Sequence, residues 1–145
     1  MRILGYSEVV AALDLPSLVE ALRRMFRAGA ETPERHHHTI PVPGGADATL
    51  LLMPAWQAGR QIGVKLLMVF PDNAAQQEPS LTGAYLLLDG KTGKTLALMD
   101  GPALTLRRTA AASALAASYL ARPDCERLLM VGTGALASHL IEAHA

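Results

Sequence analysis

Three stretches of basic residues in this sequence could hold an anion, and one of them is a lysine within an apolar strand. Lys65 lies between Val64 and Leu66. On a strand it shares a face with Leu67 and Val69, where a buried charge needs a partner. Such a lysine either stretches its stem to water at a sheet edge, or faces a carboxylate or carries a lowered pKa. The sequence leaves these interpretations open, although a sheet edge is the commoner case.

Two adjacent arginines form another basic stretch. Arg107 and Arg108 stand near the start of an alanine-rich helix. Positive charge there opposes the helix dipole by a few tenths of a kcal/mol up to about 1 kcal/mol, and a nearby anion reverses that penalty. We therefore expect one arginine to be solvated and the other to bind a carboxylate or phosphate.

The third basic stretch is Arg35 followed by three histidines. Adjacent side chains on extended backbone alternate sides, so His36, His37 and His38 cannot easily share one ion. No second cluster of metal-ligating residues completes a site, and we predict no metal centre. The histidines are expected in an exposed loop or packed against a sheet. Cys125 has no obvious base beside it, so covalent catalysis is not expected.

A glycine motif lies near the end of the chain. Gly132-x-Gly134-x-x-Ala137 follows an apolar run and precedes a predicted helix. The glycines allow a tight turn and close approach to a pyrophosphate, whose charge the free N–H groups of the helix start would meet. An ordinary strand–turn–helix fits the motif about as well. Only the flanking elements favour dinucleotide binding.

Hydrophobic spacing predicts the elements that position these residues. Apolar residues recur every three or four positions from Leu15 to Phe26, which predicts a helix beginning around Asp14 and Pro16 and ending at Gly29. The other predicted elements are a short helix Ser7–Leu13, a loop or irregular strand Thr32–Asp47, strands Thr49–Met53, Gln61–Phe70, Thr82–Asp89 and Thr95–Met99, a helix Leu104–Ala121 and a strand Arg127–Val131.

Two of the predicted strands carry further expectations. Pro54 is expected to end Thr49–Met53, because proline cannot donate to a sheet. Gln61–Phe70 is apolar on both faces, which predicts burial on both sides. Gly90–Lys94 has the composition of a hairpin turn between the last two antiparallel strands.

Composition narrows the class of protein. Half of the 145 residues are hydrophobic, 18% are charged, and the formal net charge is +0. This balance predicts a folded domain, and it gives no reason to expect a nucleic acid or a membrane as partner. A single cysteine excludes an internal disulfide framework and suits a reducing compartment, so a cytoplasmic location is expected.

The order of several segments resembles the ornithine cyclodeaminase and mu-crystallin family. The likeness covers essentially the whole chain, and its most specific part is the D-G-x-T-G hairpin combined with the threonine–arginine–alanine helix. The segments that carry it are Arg35–His38, Val64–Lys65, Leu81–Gly83, Leu88–Gly93 with Leu98–Gly101, Leu104–Ser113 and Val131–Ala135.

The resemblance implies roles for individual residues. Arg35 and Lys65 match the pair that holds the substrate carboxylate, and Arg108 matches an arginine between substrate and cofactor. Thr82 matches a hairpin threonine that contacts the cofactor. The expected cofactor is NAD or NADP, and the expected ligand is a small amino acid or a cyclic imine. The turn that meets the pyrophosphate corresponds to Gly132, Gly134, Ala135 and Leu136.

The resemblance also implies an architecture. We expect an α+β N-terminal domain, a helix plus a mostly antiparallel sheet, followed by the first β-α unit of an incomplete Rossmann domain. Residues 1–103 would bind substrate and form a homodimer, 104–123 would be a linking helix, and 124–145 would begin the NAD(P)-binding domain. A lone strand and short helix lack partners for a parallel sheet, so poor packing is expected after about Leu128.

The reaction implied is oxidation of an amino acid to an imine, with cyclisation and loss of ammonia, as in an NAD(P)-dependent ornithine cyclodeaminase. The alternatives are a cyclic imine (ketimine or pyrroline-carboxylate) reductase or an amino-acid dehydrogenase of the same family, and a non-catalytic binding or dimerisation domain. The acid–base aspartate of the family has no match among these residues. We therefore expect no catalytic residue in this chain and no activity from it alone.

Overall fold

The computed structural model describes residues 1–145 and is built around one mixed sheet. Six strands lie in the order β1-β6-β5-β4-β3-β2. Only the β1–β6 pair is parallel, and the other four pairs are antiparallel, as the predicted fold class requires. The strands are β1 (Arg2–Leu4), β2 (His36–Ile40), β3 (Ala48–Gln57), β4 (Gln61–Val69), β5 (Leu81–Asp89) and β6 (Thr95–Asp100).

Four α-helices accompany the sheet: α1 (Tyr6–Ala12), α2 (Leu15–Ala28), α3 (Gly101–Leu120) and α4 (Ala137–His144). Asp14 caps α2 by accepting a hydrogen bond from the Ser17 amide at 3.0 Å, so the predicted start is confirmed. Asp100 caps α3 in the same way, accepting from the Ala103 amide at 2.7 Å. This cap begins α3 three residues before the predicted Leu104.

The helices cover one face of the sheet. Gly101, the first residue of α3, lies so close to β5 that an added Cβ would stand 2.8 Å from the carbonyl carbon of Gly83. Leu67, the cross-strand partner of Gly83, is buried on this face. We call this surface the covered face. It contains the alternate residues of β4 that include Lys65.

The opposite face of the sheet is open, which corrects the expectation for β4. Leu66 is 37% exposed and Ile3, on the edge strand β1, is 68% exposed. Ile3 pairs with Leu98 and Leu66 with Ala84, so these apolar side chains belong to one continuous surface. The prediction of burial on both sides was wrong because no layer of this chain packs there.

Pro54 does not end its strand, which is a second correction. β3 continues to Gln57 and pairs along its whole length with β4, Pro54 opposite Val64. The pairing of β3 with β2 has already ended, at Leu52 opposite His36. At Pro54 the strand therefore has a regular neighbour on one side only, and an edge position tolerates the missing N–H.

The predicted strand Arg127–Val131 is absent, a third correction. These residues form no regular element, and Leu129 and Val131 are each 86% exposed. A strand needs a neighbour to accept its hydrogen bonds, and none lies beside this segment. The poor packing expected after Leu128 does not extend to α4, which packs on the buried cluster of Leu15, Ala110 and Ala111.

β1 had not been predicted, whereas β2 falls within the segment assigned to a loop or irregular strand. In β2 the rings of His36 and His38 lie on one side of the strand, 6.2 Å apart and edge to face. None of the helices is long and apolar enough to cross a membrane.

Candidate functional site

Lys65 lies on the covered face without a counter-ion. Its direct neighbours across the strands are Met53 on β3 and Tyr85 on β5. No carboxylate forms an ion pair with it, although the residue is only partly exposed. Burial, and second the positive charge of Arg108, lower the pKa of Lys65. Lys65 is therefore a half-buried cation without a counter-ion, and a bound anion would stabilise its charged form.

The adjacent arginines of α3 have different environments, as expected from the sequence. Arg107 is 3% exposed, and its Nε and Nη2 donate to the carbonyl oxygen of Leu13 at 3.0 and 2.8 Å. Its Nη1 donates to Glu142 on α4 at 2.8 Å. Arg108, one residue on, is exposed and forms no hydrogen bond or ion pair within the protein. Arg107 thus holds α1 and α4 to α3, whereas the guanidinium of Arg108 has no partner within the protein.

Arg35 lies one residue before β2, whose last pair with β3 is His36 opposite Leu52. β3 separates β2 from β4, the strand that carries Lys65. Arg35 is exposed and forms no ion pair. Its part in holding the substrate carboxylate stays a prediction.

The glycine turn has the backbone that a pyrophosphate needs. Gly132 adopts φ +109°, a conformation that favours glycine. An added Cβ on Gly134 would meet nothing within 4 Å, so the backbone there is open to a ligand. The N–H groups from Thr133 to Leu136 donate no hydrogen bond, and Leu136 provides no side-chain cap for α4. Residues of this turn therefore fit the phosphates of a dinucleotide.

Thr82 and the turn at Gly132, which were expected to contact the cofactor, have separate positions in the fold. Thr82 is exposed at the start of β5 and pairs with Met68, which places it on the open face, opposite to Lys65. The turn at Gly132 approaches α3 through Leu136, which packs against Ala110 and Ala111. The predicted roles of Thr82, Ala135 and the rest of the turn in cofactor binding stay predictions.

Tyr85 is a candidate site residue that the sequence analysis missed. It pairs directly with Lys65, so their side chains share the covered face. Its ring lies over Gly63, where an added Cβ would stand 2.6 Å from Cζ and would overlap the hydroxyl. The hydroxyl forms no hydrogen bond within the protein, and burial raises the pKa of the phenol. No local signal in the sequence marks this pairing, because β4 and β5 are joined by the long connection 70–80 and not by the hairpin turn.

Comparison with known proteins shows which proteins the chain is similar to. The chain is 46% identical to Protein SAR DEFICIENT 4 of Arabidopsis thaliana over 147 residues, 93% of this chain and 44% of the relative. It is 36% identical to a Delta(1)-pyrroline-2-carboxylate reductase of Colwellia psychrerythraea over 146 residues, 99% of this chain and 46% of the relative. The chain thus spans less than half the length of these curated relatives.

Solved structures give the same result. The Delta(1)-pyrroline-2-carboxylate reductase of Thermococcus litoralis, solved in complex with NADH and L-proline, superposes with a TM-score of 0.68 at 33% identity. The match covers 86% of this chain and 39% of that one. The sequence profile described as Ornithine cyclodeaminase/mu-crystallin family matches residues 3–145. The chain therefore belongs to the ornithine cyclodeaminase and mu-crystallin family, whose solved relatives bind NAD⁺ or NADH.

Proposed function

We propose that this chain supplies the substrate-carboxylate site of an NAD(P)-dependent reductase that acts on a cyclic imine bearing a carboxylate. The observation that carries the proposal is the half-buried Lys65 on the covered face, which has no acidic partner, together with the unpaired Arg108 on the helix α3 that covers this face. A half-buried cation without a counter-ion is unfavourable unless a bound anion compensates it. A substrate carboxylate is such an anion.

The relatives support a reductase ahead of a cyclodeaminase, which reverses the order suggested by the sequence. Curated relatives at 36% identity are named as reductases of Delta(1)-pyrroline-2-carboxylate. The solved reductase of T. litoralis holds L-proline, the reduced product of that imine. Because the chain matches less than half of each relative, the activity and substrate of a whole protein are proposed on similarity together with the site described above.

Each cation has a separate part in this proposal. Lys65 holds the carboxylate from the sheet, Arg108 holds it from α3, and Arg35 closes over it from the edge of the sheet. A bound nicotinamide would supply hydride to the imine carbon. The open N–H groups that follow Gly132 would hold its pyrophosphate, with Thr82 as a further contact. The chain's own residues bind and orient, and we assign no acid–base residue among them.

The proposed domain organisation follows the family resemblance. Residues 1–103 would carry the carboxylate site, 104–123 would link two domains, and 124–145 would begin the NAD(P)-binding domain. α3, which fills most of the linking segment, also covers the sheet and carries Arg108. A movement of this helix would therefore change the site directly.

Activity assays distinguish the proposed reaction from its rivals in the family. We expect a whole protein that carries these residues over the full length of the relatives to oxidise NADH or NADPH when Δ1-pyrroline-2-carboxylate is added and to form L-proline. Release of ammonia from L-ornithine with NAD⁺, without turnover of the imine, would instead identify a cyclodeaminase. NADH formation from an amino acid such as L-alanine, again without imine turnover, would identify a dehydrogenase.

A dimer is the second proposal, and it rests on the open face of the sheet. Exposed apolar side chains such as Ile3 on β1 and Leu66 on β4 lie on that face, which runs across the neighbouring strands β1, β6, β5 and β4. A two-fold partner of the same chain would bury it. Sedimentation analysis tests this proposal: we expect a dimer that Leu66→Asp dissociates, and a monomer at high concentration would refute it.

A further inference from the structure

The covered face carries a polar group that the proposed reaction has not used. Tyr85 stands directly across from Lys65, and its hydroxyl lies over Gly63. Gly63 is itself buried, so the ring is held in a pocket where a larger residue than glycine would displace it. The hydroxyl is therefore fixed in place although no protein group accepts its proton.

The position of α3 places Arg108 above the same region. Gly101 meets the backbone of Gly83 on β5, and the helix rises about 10 Å over the seven residues to Arg108. Lys65 and Tyr85 lie on the face of the sheet that α3 covers, and Arg108 on that helix has no partner within the protein. A carboxylate bound by both cations would thus lie near a phenol that has a proton to donate.

We propose that Tyr85 is a further substrate-binding residue, whose hydroxyl donates a hydrogen bond to the carboxylate held by Lys65 and Arg108. This inference rests on the proposed function and adds a neutral donor to a site otherwise made of cations. Burial keeps the phenol protonated through the neutral pH range, because it raises the pKa of Tyr85.

Substitution of the hydroxyl alone tests the inference. Tyr85→Phe keeps the ring over Gly63 and removes only the donor. We expect it to raise the KM for Δ1-pyrroline-2-carboxylate about ten-fold or more and to leave kcat within about two-fold, because a contact made equally to bound substrate and transition state affects binding. Tyr119→Phe is the matched control, since Tyr119 is an exposed tyrosine on α3 that bonds to Arg23. It should leave the KM unchanged.

A second variant tests the position of the ring. Gly63→Ala places a methyl group where the Tyr85 hydroxyl lies, so the phenol must move. We expect a KM increase similar to that of Tyr85→Phe. An unchanged KM in Tyr85→Phe, or an equal increase in the Tyr119→Phe control, would overturn the inference.

Calorimetric titration with L-proline separates this inference from the proposed function. Weak binding by both Lys65→Met and Tyr85→Phe supports the anion site and the role of Tyr85. Weak binding by Lys65→Met with normal binding by Tyr85→Phe refutes the role of Tyr85 alone. Normal binding by Lys65→Met, or no binding of L-proline by the unaltered protein, refutes the anion site and the inference together.

Discussion

Replacing Lys65 by methionine should weaken ligand binding and yet stabilise the ligand-free fold. Methionine keeps an apolar stem of similar length on the covered face and removes the charge. A charge-assisted hydrogen bond to a carboxylate contributes about 1.5–3 kcal/mol, so the Kd for L-proline should rise roughly 10- to 150-fold. Without ligand, the same change removes the repulsion from Arg108 and the desolvation of an ammonium group.

The cost of burying charged Lys65 in the ligand-free fold also determines how stability depends on pH. The pKa of Lys65 is lowered in the folded protein from its ordinary value of 10.5. Between the folded pKa and 10.5 the unfolded chain still binds a proton that the native state has lost, so stability rises with pH across that window. Below the folded pKa, Lys65 is charged in the native state, and the full cost of burying that charge reduces the stability of the fold. Lys65→Met should lack this rise, which the difference between the two pH profiles isolates from other titrating groups.

Urea unfolding and calorimetry measure both halves of the prediction. Lys91→Met, in the exposed turn between β5 and β6, is the matched control and should change neither quantity. The reasoning would be refuted if Lys65→Met bound L-proline normally. It would equally fail if the variant were less stable than the unaltered protein at neutral pH and showed the same pH profile.

Four other substitutions test the structural parts of the account. Arg107→Met should lower the free energy of unfolding by about 1–3 kcal/mol, since it leaves the Leu13 carbonyl unpaired. Arg108→Met should cost little stability and should weaken L-proline binding. Equal losses of stability in the two variants would contradict the structural role of Arg107 and the binding role of Arg108. Gly101→Ala should destabilise by about 1–3 kcal/mol through its clash with β5, and a normal unfolding curve would show that α3 lies elsewhere. Gly132→Ala should weaken NADH binding about ten-fold or more in a fluorescence titration, because alanine disfavours φ +109°; unchanged affinity would argue against a phosphate-holding turn.

Much of the fold could be predicted because local signals agree with the tertiary structure. α2 has an apolar stripe, an aspartate cap and a terminal glycine, and its bounds match the expectation. β5 and β6 flank a hairpin turn that sets their antiparallel pairing, and β4 alternates along its length as a strand should. By contrast, β1 has three residues, and its partner β6 lies far along the chain, so no local pattern marks it.

The charged residues of the candidate site can be picked out from the sequence, whereas the neutral Tyr85 cannot. Lys65 and Arg108 are conspicuous because a charge among apolar residues needs an explanation. Which of two adjacent arginines is free depends on a rotation of about 100° around the helix and on what α1 and α4 place beside it. The hydroxyl of Tyr85 became visible only when the register set it across from Lys65 and over Gly63.

The central claim is that Lys65 and Arg108 share a bound carboxylate, and the pKa of Lys65 tests it most directly. An NMR titration of the lysine side-chain resonances, assigned with Lys65→Met, should give a pKa below 10.5 without ligand. Saturating L-proline should raise that pKa, because a carboxylate beside the ammonium group stabilises its charged form. A Lys65 pKa that does not change when L-proline binds would contradict the account.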